Sequence, residues 1–297
     1  MNFTYGYFHF RDEAETWAAS VPEGVASALK QHEAKRQEHI YEFIITEKHH
    51  CQLLKVIQKV FCEGMTTYLD MKPELLDRLF PQLDTLISIH FDFLRQLRER
   101  QDSTAVIPTI ADILMNQFGR EENAVRWKAA YGAFCSQHSD AVSIYKDILK
   151  TDRRFQEFVQ QCSNNPLLRK MGIPECILTV TTRITKYPLL IEPLIKTAKE
   201  RPEEQQRLRN CLHLVKSILV DVNGQVREIS AEGCLANFNV KQFTMFCLHH
   251  SSHPCPCLEP DLSLSFCLHY QGLVSLTFRH CHYKTMMTMK SEYLWRQ

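Results

Sequence analysis

The chain has 297 residues, of which 44% are hydrophobic and 23% are charged, and its formal net charge is +1. This composition is typical of one or two globular domains, and a net charge near zero excludes a strong overall attraction to nucleic acid or anionic lipid. With only 9 glycines and few turn dipeptides between β-rich runs, the sequence favours an all-α protein. No stretch of about 18 apolar residues occurs, so we expect no integral membrane segment.

The N-terminus and the cysteine content bear on cellular location. The first residues, MNFTYGYFHFRDEAE, lack the basic start and apolar core of a signal peptide. In a chain without such a signal, 12 cysteines indicate reduced thiols rather than a disulfide framework. We therefore expect a cytoplasmic protein, which its partners could recruit to the plasma membrane.

Three segments follow one another along the chain. Residues 1–34 are predicted to be a poorly ordered N-terminal extension. Residues 35–229 show the hydrophobic spacing of long helices, which indicates a helical domain. Residues 230–297 contain half of the cysteines and show no sustained period, so we expect a divergent, disordered tail.

The first long helix is predicted from about Lys35 to Leu69, with an apolar stripe formed by Ile40, Phe43, Ile44, Cys51, Leu54, Ile57, Phe61 and Met65. Shorter helices, some with proline near their starts, are expected over residues 73–152, and a break is expected over residues 164–166. A further helix is predicted from about Pro174 to Lys199. The last helix, from Pro202 to Ile229, has near-heptad apolar spacing. These stripes predict the core of a helical bundle.

Several charged or polar residues lie on or beside these stripes. Glu47 lies on the stripe of the first helix, and because an unpaired buried carboxylate is costly, we expect it to have a partner and a structural role. Arg183 and Lys186 lie on a flank of the next-to-last helix, so neither needs to be buried. Glu42, Lys186 and Asn223 each lie beside the stripe of a different long helix and could share one surface, although spacing alone favours a solvated Lys186.

Motifs for covalent chemistry and for metal binding are weak. The chain has no Gly-rich phosphate loop and no G-x-S-x-G motif. The stretch HHSSHPCPC, residues 249–257, offers five potential zinc ligands, but they crowd into nine residues without the separated ligand pairs that zinc sites use. A disordered tail with reactive thiols is the favoured interpretation of this stretch. We expect no metal and no cofactor.

Two sequence blocks of the helical domain carry a family resemblance. KRQEHIYEFIITEKHH at residues 35–50 and RITKYPLLIEPLIK at residues 183–196, together with ILVDVNGQV in the last helix, resemble the Dbl-homology domain of Rho guanine-nucleotide exchange factors (RhoGEFs). The likeness covers residues 35–229. Trp17 and the stretch NPLLRKMGIPE at residues 165–175 look like the subgroup of PDZ-RhoGEF and leukaemia-associated RhoGEF, which acts on RhoA-type GTPases.

The resemblance implies an elongated helical bundle with a GTPase docked across its first, fifth and last long helices. It also implies roles for individual residues of this chain. Glu42 would engage switch I of the GTPase, and Lys186 with the preceding Thr185 would contact the switch regions. Asn223 would meet switch II, and Trp17 would add a contact to switch I.

Arg169 and Lys170 are similar to a basic pair that recognises acidic residues on Rho. The family likeness thus implies a guanine-nucleotide exchange factor for a RhoA-like small GTPase, which stabilises the nucleotide-free GTPase by gripping its switch regions. Exchange makes and breaks no covalent bond, so the chain would regulate a GTPase without being an enzyme and would need no cofactor. Nucleic acid is not expected among its partners.

The chain also departs from the family pattern. Thr182 stands where a glutamine is usual, and Pro193 lies inside a predicted helix, where a proline costs about 3 kcal/mol. A pleckstrin-homology domain is expected after the last helix, but residues 230–297 do not resemble one. These departures keep a second hypothesis open, a non-catalytic helical GTPase-binding or scaffold protein from a truncated isoform.

Overall fold

The computed structural model describes residues 13–165, 168 and 171–232, with the backbone alone described for residues 228–232. All of these residues belong to the first of two compact units into which the chain divides. Within them the regular elements are helices and no strand occurs, which confirms the predicted all-α class. Most of the predicted tail lies outside the described residues.

The first part of the domain is built around one long helix. The elements in chain order are α1 (Trp17–Ser20), α2 (Gln31–Val56), a π-helical segment (Ile57–Cys62), α3 (Glu63–Leu69), α4 (Pro73–Leu79), α5 (Leu83–Ser103) and α6 (Ala111–Gly119). Because α2, the π-helical segment and α3 follow without a break, the predicted first helix is confirmed, although it begins at Gln31. α3 ends at Leu69, and the next residue, Asp70, caps it with a left-handed backbone (φ 53°). α4 begins at Pro73, where a missing N–H costs little.

The second part contains the other two helices of the predicted surface. Its elements are α7 (Glu121–Ser136), α8 (His138–Thr151), α9 (Arg153–Ser163), α10 (Ile173–Arg183), a 3₁₀ turn (Ile184–Lys186), α11 (Tyr187–Thr197) and α12 (Pro202–Glu232). Asp152 caps α9 by accepting the N–H groups of Arg154 at 2.8 Å and Phe155 at 3.2 Å. The last helix, α12, begins at Pro202, as predicted.

Two prolines shape the helix that was predicted from Pro174 to Lys199. Pro188 has no N–H to donate to the carbonyl of Ile184, so the hydrogen-bond ladder is interrupted there, and the 3₁₀ turn lies directly before α11. The predicted single helix is thus divided into α10 and α11. Pro193 lies inside α11, which nevertheless continues to Thr197. None of the described contacts explains the choice of proline at position 193.

Aromatic rings form the core where the helices meet, with Tyr187 of α11 in the middle. Its ring centroid lies 5.2 Å from that of Phe118, 5.6 Å from Trp127, 5.9 Å from Phe43 and 6.1 Å from Phe93. At these separations, tilted and edge-to-face contacts between aromatic rings are favourable. One buried ring therefore connects α11 to α6, α7, α2 and α5.

α11 is packed between the two other long helices on which contact residues are predicted. α11 packs against α2 on one side and against α12 on the other, and α12 also packs along α6 and α7. The fifth long helix thus packs against both the first and the last, and the docking surface across the three stays a prediction. No helix in the described part of the chain is both long and apolar enough to cross a membrane.

Candidate functional site

Glu42 lies on the exposed side of α2. Its side chain is 62% exposed, and Nδ1 of His39, one turn earlier, lies 3.7 Å from Glu42 Oε2. The neighbouring residues Tyr41 and Phe43 are both buried, so the backbone of α2 is fixed at this point. The carboxylate is therefore held on a rigid helix where it can accept hydrogen bonds from a partner.

Thr185 and Lys186 occupy the 3₁₀ turn between α10 and α11. Thr185 is buried, and its Oγ1 donates a hydrogen bond to the carbonyl of Thr182 at 2.7 Å. Lys186 is partly exposed. The residues on either side of the turn, Arg183 and Tyr187, are buried. The turn therefore presents Lys186 at the surface between two buried anchors.

Asn223 is partly exposed on α12, and two contacts to α7 hold α12 in place around it. Oδ2 of Asp221 lies 2.5 Å from Nζ of Lys128. Oε1 of Gln225 lies against Gly132, where an added Cβ would come within 1.6 Å of this oxygen. Glycine at position 132 therefore leaves room on α7 for the side chain of Gln225, two residues after Asn223 on α12.

The core connects these three parts of the surface. Glu42 and Lys186 are chain neighbours of Phe43 and Tyr187, whose ring centroids are 5.9 Å apart, so α2 and the 3₁₀ turn meet at this level. Tyr187 also contacts Trp127, and the residue after Trp127 forms the ion pair to α12. The segments that carry Glu42, Lys186 and Asn223 thus pack around one core, and their sharing of one surface stays a prediction.

Trp17 lies in a segment that we call the N-terminal strap, residues 13–20. Its side chain is 3% exposed, and Nε1 donates a hydrogen bond to the carbonyl of Ala105 at 3.1 Å. The carboxylate of Glu38 accepts the N–H of Trp17 at 2.9 Å and that of Ala18 at 3.1 Å. The indole therefore faces the bundle and offers little surface to a partner here. Its contact to switch I stays a prediction.

The start of the N-terminal strap is held by charges and by a tyrosine. Oε1 of Glu13 lies 3.2 Å from Nζ of Lys48 and 2.7 Å from Nη2 of Arg98. The hydroxyl of Tyr41 donates to the carbonyl of Ala14 at 2.6 Å. Burial and the nearby Glu13 carboxylate raise the pKa of Tyr41 to about 12, so the phenol stays protonated. These contacts fix the strap along α2 and α5.

The predicted basic pair, Arg169 and Lys170, lies outside the described residues, and its role stays a prediction. The residues around the pair are anchored. Leu168 is fully buried, and its carbonyl accepts the N–H of Met171 at 2.7 Å.

A buried polar network is the main feature that the sequence did not reveal. Glu47 is fully buried, and its Oε2 accepts hydrogen bonds from Nη2 of Arg183 at 2.5 Å and from the hydroxyl of Tyr187 at 2.8 Å. Glu47 thus has the partners that its place on the apolar stripe predicted. The prediction that Arg183 needs no burial was wrong, because α10 packs against α2, α7 and α8, which cover its flank as well.

The network contains one ion pair and neutral rings. Burial by itself raises the pKa of Glu47, but Arg183 and His90 outweigh it and lower the pKa to about 2. Burial lowers the pKa of His90 below its ordinary value, which favours a neutral ring. In the tautomer that satisfies both contacts, Nδ1 donates to Glu47 Oε1 at 2.6 Å and Nε2 accepts from the hydroxyl of Tyr131 at 2.8 Å. Glu47 and Arg183 are therefore the charged pair of the network.

Two exposed apolar residues lie on α10, which precedes the 3₁₀ turn, and on α12. Leu178 is 52% exposed on α10, ahead of the turn that carries Lys186. Val220 is 67% exposed on α12, one turn before Asn223. Single exposed aliphatic side chains are common on protein surfaces and need no special explanation. The sequence could have indicated that Leu178 and Val220 are exposed, because both lie off the apolar stripe of their helix.

The described residues contain no group of three or more His, Cys, Asp or Glu side chains arranged to hold a metal ion. The stretch HHSSHPCPC lies outside them. The six cysteines in the described part of the chain are free thiols. Burial raises the pKa of Cys135 to about 12, so this thiol is a poor nucleophile.

The family match and the similar known sequences point to the same protein family. The RhoGEF domain family matches residues 39–223 of the chain. Rho guanine nucleotide exchange factor 28 from Homo sapiens is 40% identical over 223 residues, which make up 73% of this chain and 13% of that protein. Rho guanine nucleotide exchange factor 2 from Mus musculus is 38% identical over 231 residues, or 75% of this chain and 23% of that protein. The chain thus spans less than a quarter of the length of these relatives.

Solved structures show the same relationship. The DH/PH domains of PDZ-RhoGEF in complex with GTP-γ-S activated RhoA have a TM-score of 0.68 and 30% identity, with 72% of this chain and 59% of that chain covered. The DH/PH domains of p115-RhoGEF have a TM-score of 0.69 and 30% identity, with 82% of this chain and 65% of that chain covered. The resemblance to PDZ-RhoGEF is thus confirmed, although exchange factors 28 and 2 share more identity with this chain.

The family match takes in the helices that carry Glu42, Lys186 and Asn223, and it extends over more than half of the chain. The helical fold agrees with that of the solved structures. This chain belongs to the RhoGEF, or Dbl-homology, domain family.

Proposed function

We propose that this chain is a guanine-nucleotide exchange factor for a RhoA-like small GTPase, which docks across α2, the 3₁₀ turn with α11, and α12. The observation that supports the proposal most is the packing of α11, which directly follows the turn with Lys186, against α2 with Glu42 and against α12 with Asn223. The PDZ-RhoGEF structures, which are complexes with RhoA, support the choice of partner. A cytoplasmic location, with recruitment to the plasma membrane by partners, is part of the proposal.

The three side chains differ in what they offer a partner. The carboxylate of Glu42 accepts hydrogen bonds and would engage switch I. The ammonium group of Lys186 donates, and with Thr185 it would contact both switch regions. The amide of Asn223 donates and accepts, and it would meet switch II. Leu178 on α10 would add apolar contact.

Exchange then follows from linkage rather than from covalent chemistry. A factor that prefers the nucleotide-free GTPase over the loaded form by a given ratio must weaken nucleotide binding by the same ratio. A preference of about 1,000-fold corresponds to about 4 kcal/mol of differential binding. A surface that adapted equally well to both forms would shift nothing. The ring core around Tyr187 supplies the rigidity that such a surface needs.

Release of labelled GDP from RhoA, measured with the full chain at micromolar concentration, tests the proposal. We expect faster release, and we expect Glu42→Ala or Lys186→Ala to bring the rate close to that of RhoA alone without a change in melting temperature. Lys59→Ala is the matched control, because it removes an exposed cation from the same long helical segment as Glu42. An unchanged release rate with the wild-type chain would refute the exchange function.

The same assay separates the second hypothesis from the first. A chain that binds nucleotide-free RhoA but leaves GDP release unchanged would be a non-catalytic GTPase-binding protein. A variant such as Lys186→Ala that keeps the wild-type rate would show that the proposed surface is the wrong one, even if exchange itself is observed.

A further inference from the structure

The buried carboxylate of Glu47 contacts both ends of the 3₁₀ turn that carries Thr185 and Lys186. Its Oε2 accepts from Nη2 of Arg183 at 2.5 Å and from the hydroxyl of Tyr187 at 2.8 Å. Arg183 directly precedes the turn, and Tyr187 directly follows it. A single oxygen atom on α2 therefore joins the two ends of a three-residue turn.

Other contacts hold the carboxylate in place. Its Oε1 accepts from Nδ1 of His90 at 2.6 Å, and Nε2 of His90 accepts from the hydroxyl of Tyr131 at 2.8 Å. The guanidinium of Arg183 also lies over the ring of Tyr187, 4.8 Å from its centroid. Because Glu47 is fully buried and accepts three hydrogen bonds, it has few alternative positions.

We propose that Glu47 and Arg183 are positioning residues for nucleotide exchange. Their ion pair fixes the 3₁₀ turn against α2, so that Lys186 meets the GTPase at a set distance from Glu42. The inference rests on the proposed function, because it assumes that Lys186 contacts the GTPase. A displacement of about 1 Å at a contact group can lower a rate by up to about a hundredfold, so small movements of the turn matter.

A purely stabilising role is the alternative, and it makes a different prediction. Replacing a buried ion pair by uncharged residues of similar volume is often neutral or stabilising, whereas removing one partner leaves an unpaired buried charge. If the Glu47–Arg183 pair served only stability, removing both charges together would preserve exchange. If it positions the turn, removing both charges would preserve folding and lower exchange.

The test uses the full chain in four forms: wild type, Glu47→Gln, the double variant Glu47→Gln/Arg183→Met, and Phe155→Leu. Phe155→Leu destabilises the buried face of α9 away from the turn and serves as the control for stability. We expect the double variant to melt at a higher temperature than Glu47→Gln. We also expect it to release GDP from RhoA at least about tenfold more slowly than the wild type. Phe155→Leu should keep the wild-type rate at temperatures well below its melting point.

A second readout shows whether the effect acts through Lys186. The affinity for nucleotide-free RhoA is measured for the wild type, the double variant, Lys186→Ala and the combination of all three changes. We expect the double variant to weaken binding strongly in the wild-type background and less than about twofold when Lys186 is already alanine, because residues that act as a unit are not additive.

The outcomes distinguish this inference from the proposed function. A wild-type chain that does not accelerate GDP release refutes the proposed function and the inference with it. If the wild-type chain is active, a double variant with the wild-type release rate overturns the positioning role alone. A loss of affinity that is equally large with and without Lys186 would also overturn it.

Discussion

The ion pair between Glu47 and Arg183 contributes to the loss of stability of the chain in acid. Burial raises the pKa of Glu47, but the cationic Arg183 and the hydrogen bond from His90 bring it from the ordinary 4.5 to about 2. Because the folded state has the lower pKa, this carboxylate stabilises the fold above pH 4.5, and the contribution is lost as the pH falls towards 2. At about 1.4 kcal/mol for each pH unit, the contribution is about 3 kcal/mol.

Urea unfolding followed by circular dichroism, at pH values from about 7 down to about 2.5, measures this contribution. Other carboxyls whose pKa is lowered also lose stabilising contacts in acid, namely Glu33, Asp92 and Asp112. The comparison is therefore made with the double variant Glu47→Gln/Arg183→Met, which should lose about 2.5 kcal/mol less free energy of unfolding than the wild type over this range. Glu63→Gln, which alters an exposed pair, should follow the wild type. Equal losses in the wild type and the double variant would refute the reasoning.

Three further predictions concern packing and the surface. Trp17→Ala should lower the free energy of unfolding by about 3–5 kcal/mol, because it empties a buried site, and a loss below about 1 kcal/mol would contradict the buried position. Gly64→Ala should cost about 1–3 kcal/mol in urea unfolding, because its Cβ would lie 2.8 Å from a ring carbon of Phe158, whereas Gly224→Ala, with open space, should gain about 0.5–1 kcal/mol. Leu178→Asp should weaken binding to nucleotide-free RhoA and change the melting temperature little, and wild-type affinity would remove Leu178 from the docking surface.

The long helices could be predicted from the sequence because their signals are local. Between Ile40 and Met65, apolar residues recur about once per helical turn. The prolines at positions 73 and 202 mark the starts of two helices directly. The π-helical segment Ile57–Cys62 was not predicted, because the four-residue spacing of Ile57, Phe61 and Met65 also fits an ordinary α-helix. The division of the helix before Pro188 was not predicted, and the structure shows a 3₁₀ turn there.

The buried network could be predicted only in part, because it depends on contacts between distant segments. The place of Glu47 on the stripe showed that it needed a partner. Its partners include Arg183 and His90, and both are far from Glu47 in the sequence. The flank of α10 looked solvated because helical spacing describes one helix at a time, whereas α2, α7 and α8 together cover it. Burial of a flank is a property of the assembled bundle.

Glu42 and Glu47 show how one residue type takes two roles on one helix. Five positions separate them, which places their side chains about 140° apart around α2. The carboxylate of Glu42 is 62% exposed, whereas that of Glu47 is fully buried beside Arg183. Substituting Glu42 should therefore change partner binding and leave folding intact. Substituting Glu47 alone should change both, and only the joint change with Arg183 can separate its effect on exchange from its effect on stability.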